Sequence, residues 1–339
     1  MEPLFGKTQK ELQQIVAALD LPDYTTGQLT DWLYKKRIGS IDEMTNLSKK
    51  ARTTLKDKYQ LGLDHYQKVQ DSADGTRKYL FNTSVGKYVE TAYIPDKDRH
   101  TVCVSTQVGC KMGCLFCMTG KQGFQGNLTA GEILNQVRSI DEWDRLTNIV
   151  YMGMGEPLDN LEAVLKSLEI LTADWGFAMS PRRITVSTIG LIPAMKTFLE
   201  KSEAHLAISL HSPFDSERKQ LMPIQQVYPL EEVLHEIRSW DFGRQRRVSF
   251  EYIVFGDLND SPQHVKALVK ILHGIRCRIN LIRFHPIPGT PLKSATRERI
   301  QAFRDDLNAR GIQTTIRASR GEDIYAACGL LSTRELVGK

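Results

Sequence analysis

The stretch Gln107-Val108-Gly109-Cys110-Lys111-Met112-Gly113-Cys114-Leu115-Phe116-Cys117 places three thiols within eight residues. Cysteines separated by three and then two residues can converge from one loop onto a single small inorganic group, because thiolates are soft ligands suited to iron or zinc. Tetrahedral zinc would want a fourth ligand, and the nearest candidates, Cys103 and His100, do not stand at the usual spacing of a structural zinc pair. A 4Fe–4S cluster normally takes four thiolates. Three would leave one iron open, as in a catalytic rather than a structural site. Gly109 and Gly113 suit a backbone that must approach a cluster closely or take positive φ, and Phe116 can shield one side of it.

This spacing resembles the signature of the radical S-adenosylmethionine (SAM) superfamily. The resemblance implies one 4Fe–4S cluster ligated by Cys110, Cys114 and Cys117, with SAM chelated at the open iron through its amino and carboxylate groups and cleaved by an electron from the cluster. The competing reading of these residues is a structural metal knot.

At 339 residues the chain has room for one large α/β domain and a smaller accessory one. Its 41% hydrophobic and 25% charged content is that of an ordinary globular protein. No signal-peptide pattern opens the chain and no apolar run approaches the ~20 residues that span a bilayer, so a cytoplasmic protein with no membrane partner is expected. In that compartment six cysteines point to metal or catalysis rather than to disulfide staples. A net charge of +5 permits a nucleic-acid partner without demanding one.

Residues 1–64 read as a helical module. Leu12, Ile15, Val16 and Leu19 line one helix face before Pro22, Leu29, Trp32 and Leu33 line a second, and a third helical stretch runs from Ile41 to Tyr59 with Ser48 as a cap. Between Lys35 and Lys58 eight Lys or Arg face three acids, a surface that either tracks phosphates or is simply solvated. Residues 65–100 change to β-branched and aromatic runs broken at Asp74-Gly75 and Val85-Gly86, a β-hairpin extension.

From residue 101 to 339 strands and helices alternate. Strands are expected at Val102–Thr106, Asn148–Gly153, Arg183–Thr188, His205–Leu210, Arg247–Val254 and Ile279–Phe284, with helices between or after them. Six such units with apolar strands argue for a parallel sheet. The fold class is α/β, and it resembles the partial (β/α)6 barrel of radical SAM enzymes. In parallel architectures chemistry collects at the carboxyl ends of the strands. Gly153-Met154-Gly155-Glu156-Pro157, Ser187-Thr188, Ser209-Leu210-His211 and His285 all fall there. Two glycines and an acid at a strand end let backbone approach a ligand and let a carboxylate accept from an ammonium. A GxG alone is more often a tight turn, Ser187 and Ser209 are by default polar strand ends, and His211 can be a structural histidine. Cys328, in Ala326-Ala327-Cys328-Gly329, has small neighbours that leave it room to be approached, whereas Cys277 reads as a buried small hydrophobe.

With these residues in view the sequence resembles, over nearly its full length, the radical SAM rRNA adenine methyltransferase family. The match includes Leu29-Thr30-Asp31-Trp32-Leu33-Tyr34, Val89-Glu90-Thr91, Thr101-Val102-Cys103-Val104-Ser105, the three-cysteine loop, Gln122-Gly123-Phe124 and the Cys328 segment. The resemblance implies Cys328 as methyl carrier, Cys103 as the thiol that resolves a covalent protein–RNA intermediate and leaves a disulfide, and Glu90 as proton acceptor. It implies SAM contacts at Gly155, Glu156, Ser187, Ser209, Leu210, His211 and His285, and two SAM per turnover. One departure stands at Arg283-Phe284-His285-Pro286, where the family usually carries asparagine at the position of His285. The implied substrates are 23S rRNA, methylated at carbon 2 of the peptidyl-transferase-centre adenosine, and an anticodon-loop adenosine in tRNA. An electron donor such as flavodoxin and a monomeric state are the further expectations. Methylation at carbon 8 of the same adenosine, and a non-catalytic metal-stabilised RNA-binding protein, are the alternatives.

Overall fold

The computed structural model describes residues 1–243 and 246–333. Arg244, a candidate for phosphate binding by its charge, lies outside the described residues. Ten strands form one sheet: β1 (Lys68–Asp71), β2 (Arg77–Asn82), β3 (Tyr88–Asp96), β4 (Arg99–Cys103), β5 (Asn148–Tyr151), β6 (Ile184–Thr188), β7 (His205–Ser209), β8 (Val248–Val254), β9 (Cys277–Arg283) and β10 (Thr314–Ile316). Their order in space follows their order in the chain, and every pairing from β4 to β10 is parallel. The strands expected from the apolar runs are present to within a few residues.

Some elements of the barrel were not expected. The seventh parallel strand, β10, is only three residues long, and its Thr-Thr-Ile carries too little pattern to stand out beside the long helix Arg297–Ala309 before it. The short helix Asp215–Leu221 is likewise additional, and its Arg218 reaches the backbone oxygens of Ser209 and Leu210 at the end of β7. The hairpin segment, strands β1 to β3, is antiparallel and continues directly into the barrel sheet, since β3 pairs with β4.

In the N-terminal segment, helix Gln9–Ala18 starts at Thr8, whose hydroxyl and Glu11 form a reciprocal capping box. The stretch expected to be helical from Ile41 to Tyr59 holds a short 3-10 turn at Ile41–Glu43 and, separately, helix Lys49–Lys58, which Ser48 caps by accepting from the Ala51 N–H at 3.1 Å. The second predicted helix is split: Thr25–Thr30 runs into a wider π turn at Asp31–Lys35. This segment is not tethered loosely. Phe5, Tyr34, Trp175 and Phe177 form one aromatic cluster. Gly6, at φ 88°, approaches Gly131 so closely that a Cβ there would sit 2.4 Å from the Gly131 Cα. Lys166 pairs with Glu11 at 2.6 Å, and the buried residues of this segment belong to the same apolar core as the barrel. No helix among the described residues is long and apolar enough to cross a membrane.

Candidate active site

A cavity of about 130 Å³ opens at the carboxyl ends of the parallel strands. Cys110, Cys114, Cys117, Gly155, Glu156 and Cys328 all line it, so residues separated by more than 200 positions in sequence share one wall. The three-cysteine loop is shaped by its glycines. Gly109 has φ 73°, and a Cβ there would lie 1.7 Å from the Gly123 carbonyl oxygen, so only glycine lets the loop close on Gly123. Behind the thiols lie Met112, Phe116, Leu221, Met222 and Phe255, a small apolar cluster separate from the main core. Burial there pushes the Cys110 thiol up to about 12 and Cys114 well above its ordinary value. Among the described residues no three His, Cys, Asp or Glu are grouped to hold one metal ion. A cubane cluster asks for something else, one thiolate per iron at separate corners, and three soft donors around one cavity, Cys110 buried and Cys114 and Cys117 partly buried, fit it.

Glu156 is 3% exposed. Its Oε2 accepts from the Ile189 N–H at 3.1 Å and its Oε1 from the Leu158 N–H at 3.1 Å. Burial nonetheless raises its pKa from 4.5 to about 7, against the hydrogen bonds of Thr188, Ile189 and Leu158. Gly155, at φ 98°, lies against Gln107, where a Cβ would come within 2.6 Å of the Gln107 side chain. His211 adopts φ 57°. Its Nδ1 accepts from the Ile253 N–H at 3.0 Å, which leaves the ring proton on Nε2, and its ring meets Phe116 edge-on at 4.7 Å. Burial and the Arg218 charge lower the His211 pKa to about 3, so the imidazole is neutral at any ordinary pH. Ser187 and Ser209 also line the cavity.

The remaining predicted residues sit further back. Leu210 is fully buried, with its carbonyl oxygen held by Arg218 Nε at 3.3 Å. His285 is buried and turned toward Glu322, its Nδ1 3.2 Å from Glu322 Oε1 but out of hydrogen-bond alignment. It does not line the cavity. Cys103 closes β4 and packs with Ala92, Val150 and Ala326. Burial first, and then the neighbouring Cys328, push its thiol up to about 12. Cys328 itself is solvent-exposed as a residue while its surroundings push the thiol up to about 11. All six cysteines are free, so the disulfide expected between Cys103 and Cys328 after turnover is absent from this structure. Glu90 is 1% exposed. Its Oε1 pairs with Lys78 Nζ at 3.0 Å and its Oε2 accepts from the Ser332 N–H at 2.8 Å.

Two family models match the chain: the radical SAM superfamily over residues 104–269 and the ribosomal RNA large subunit methyltransferase N-terminal domain over residues 3–61. A protein of Parabacteroides distasonis named a probable dual-specificity RNA methyltransferase RlmN is 56% identical over 334 residues, covering 98% of this chain and 97% of that one. The chain belongs to the RlmN family of radical SAM RNA methyltransferases. A dual-specificity RNA methyltransferase RlmN from Syntrophus aciditrophicus is 42% identical over 97% of this chain and 96% of its own. The crystal structure of a radical SAM methyltransferase from Sphaerobacter thermophilus superposes with a TM-score of 0.92 at 40% identity, covering 98% of this chain and 99% of that one. The fold is therefore the radical SAM fold, and the protein is a SAM-dependent RNA methyltransferase whose family uses an iron–sulfur cluster.

Several residues that shape this site were not singled out from sequence. Arg218, fully buried, donates from NH2 to the Ile189 oxygen at 3.0 Å and the Ser209 oxygen at 3.1 Å, and it also binds Gln225. It thereby ties the ends of β6 and β7 together. Asn259 donates to the carbonyl oxygens of His211 at 2.6 Å and Ile253 at 2.7 Å, which fixes the left-handed turn at His211. Ser105 donates to the Glu90 oxygen at 2.6 Å and accepts from the Met154 N–H at 2.8 Å.

Proposed function

We propose that this protein methylates carbon 2 of the peptidyl-transferase-centre adenosine in 23S rRNA, and an adenosine of the tRNA anticodon loop as its second substrate. Carbon 2 lies between two ring nitrogens and is electron-poor, so it is a poor nucleophile toward the methyl of SAM and a radical route is needed. The name dual-specificity RNA methyltransferase, carried by relatives of matching length, supports both substrates. The observation that carries the reading is the position of Cys328, exposed on the wall of the cavity that also holds the three-cysteine loop.

When bound, the cluster and SAM supply a 5'-deoxyadenosyl radical. Cys110, Cys114 and Cys117 would hold the cluster through their thiolates. Gly155 lets backbone approach the cofactor and Glu156 accepts from its ammonium, which stabilises the ionised carboxylate against burial. Ser187, Ser209 and the Nε2–H of His211 supply further polar contacts, and the Leu210 backbone holds that strand end in place. His285, turned to Glu322, is left out of the set. Cys328 takes a methyl from one SAM per turnover. The bound cofactors would also supply, from a second SAM, removal of a hydrogen atom from that methyl, and would take up the one electron released when the Cys328 methylene carbon bonds to carbon 2 of adenine. Glu90 accepts the proton lost from carbon 2, and Cys103 attacks the Cys328 sulfur to free the RNA, leaving a disulfide that an external reductant opens. An electron donor of the flavodoxin type, a cytoplasmic location and a monomeric state complete the proposal.

The chain divides functionally at about residues 64 and 100. Residues 1–64 form an RNA-binding accessory domain, 65–100 a β extension, and 101–339 the barrel with its methyl-carrier segment. Within the first, Lys56 pairs with Asp42 at 2.7 Å and Lys35 with Asp31 at 3.1 Å, while Lys49, Lys50 and Lys58 extend the basic face.

Anaerobic reconstitution, incubation with a 23S rRNA fragment and nucleoside digestion test this reading. It expects 2-methyladenosine. Isolation of 8-methyladenosine would move the chemistry to the other carbon, and a colourless zinc-bound protein without SAM cleavage would end the catalytic reading.

A further inference from the structure

Ser209, Glu251, Asn280 and Thr315 stand in register on β7, β8, β9 and β10, forming one polar row across four parallel strands. Hydrogen bonds lock most of it. Thr315 donates to Asn280 Oδ1 at 2.9 Å, and Asn280 Nδ2 donates to Glu251 Oε1 at 2.8 Å, with Ser249 Oγ 3.2 Å from the same oxygen. Glu251 lines the cavity and is 4% exposed. Its other oxygen, Oε2, is buried and accepts no hydrogen bond among the described residues. The nearest cation, Arg317 Nε, lies 3.4 Å away, within ion-pair reach but out of hydrogen-bond alignment.

A buried carboxylate oxygen without a donor is costly, and here the row fixes its direction. Arg317 follows β10 and is held by its own N–H, which donates to the Leu281 oxygen at 2.8 Å. Its NH1 lies 3.5 Å from the sulfur of Met152, a residue that packs against Cys103. Both charges act on Cys328: after burial, Arg317 is the largest influence on that thiol and Glu251 the next. Arg317 also acts on Cys103. Glu251, Met152 and Cys328 line the same cavity, and Arg317, within reach of both Glu251 and Met152, stands behind that wall toward Cys103, so the pair borders the place where an RNA base must meet Cys328.

We propose that Glu251 reads the 6-amino group of the target adenine through Oε2, with Arg317 donating to the neighbouring ring nitrogen N1, beside the carbon that receives the methyl. The inference rests on the adenine-methylation reading above. Enzymes that act on an extruded base recognise it by hydrogen bonds to its Watson–Crick edge. Adenine presents an N–H donor and a ring-nitrogen acceptor side by side, which an adjacent carboxylate and guanidinium complement. Guanine presents the reverse pattern, and its carbonyl would face the carboxylate.

The test compares two RNA fragments, identical except that the target position carries adenosine or purine riboside, which lacks the 6-amino group. Each is assayed with reconstituted wild-type enzyme, Glu251→Ala and Glu251→Gln, for kcat/KM and for equilibrium RNA affinity. Wild type is expected to prefer adenosine by about 10- to 100-fold, the range of a buried hydrogen bond to a charged group. Glu251→Ala should lose the preference, and Glu251→Gln, which keeps an acceptor for Asn280 or for the base but no charge, should retain only part of it. Methylation of Cys328 needs no RNA, and its persistence in the variants reports an intact cofactor site. Full preference in either variant, no preference in wild type, or loss of Cys328 methylation in a Gln variant with normal cluster absorbance would each overturn the assignment. Failure of wild type to methylate the adenosine RNA at all would overturn it together with the reading on which it rests.

Discussion

The N–H of Met118 donates to the carbonyl oxygen of Gly329 across 2.9 Å, joining the residue after Cys117 to the residue after Cys328. The stitch continues where Thr119 Oγ1 donates to the Leu331 oxygen at 2.7 Å and Gln122 exchanges hydrogen bonds with Thr333 at 2.9 and 3.2 Å. The proposed methyl carrier is thus held by the helix that starts at the cluster loop.

Removing one stitch tests that coupling. Thr119→Val keeps shape but leaves the Leu331 oxygen buried and unpaired, at a cost of about 1–3 kcal/mol. RNA methylation is expected to fall about tenfold while cluster absorbance stays unchanged. Unaltered turnover would show that the Cys328 segment is positioned by other contacts.

The pair of Glu90 with Lys78 predicts a stability effect separate from chemistry. Both side chains are nearly inaccessible, at 1% and 8%, so Glu90→Gln strands a buried ammonium and should cost about 3–5 kcal/mol in urea denaturation. Adding Lys78→Met should recover most of it. If the single variant unfolds at the wild-type midpoint, Lys78 does not depend on Glu90.

The two non-cluster thiols are expected to separate by the step they block. Cys103→Ala should still carry a methyl on Cys328 and should still join the RNA, because neither step uses the Cys103 sulfur, and the RNA should then run as a high-mass band on a denaturing gel. The Cys103→Ala, Cys328→Ala double variant should give no band. Normal turnover of Cys103→Ala would remove it from the mechanism and leave Cys277 as the thiol to examine.

Much of this was legible in the chain. The three-cysteine spacing and the alternation of strands and helices placed the cavity at the right strand ends, because apolar runs of five to seven residues must be buried on both faces. Arg218, Asn259 and Glu251 were not legible. Their importance comes from which backbone oxygens and neighbouring strands they face, and nothing local distinguishes a buried Arg218 from the exposed Lys219 beside it. His285 illustrates the converse. Its position after β9 was anticipated, but its ring lies beside Glu322, distant in sequence, and not on the cavity wall.

Glu156 sets a pH dependence. Its folded pKa, about 7, is raised above the ordinary 4.5 by burial, so the folded state holds this proton to higher pH than the unfolded chain does. The stabilisation is complete below about pH 4.5 and is lost as pH rises through 7, a change of about 3 kcal/mol. Cluster-free protein should therefore lose this contribution between pH 5 and 7.5, and Glu156→Gln should flatten that part of the profile. A wild-type slope that survives in Glu156→Gln would assign the titration to another group.

The central claim is that the methyl reaches RNA by way of Cys328. Enzyme prepared with a trideuterated methyl on Cys328, given unlabelled SAM and limiting 23S rRNA fragment, tests it by mass spectrometry of the first-turnover nucleoside. The account predicts 2-methyladenosine carrying deuterium from the protein. An unlabelled product, with the deuterated methyl still on Cys328, would contradict it.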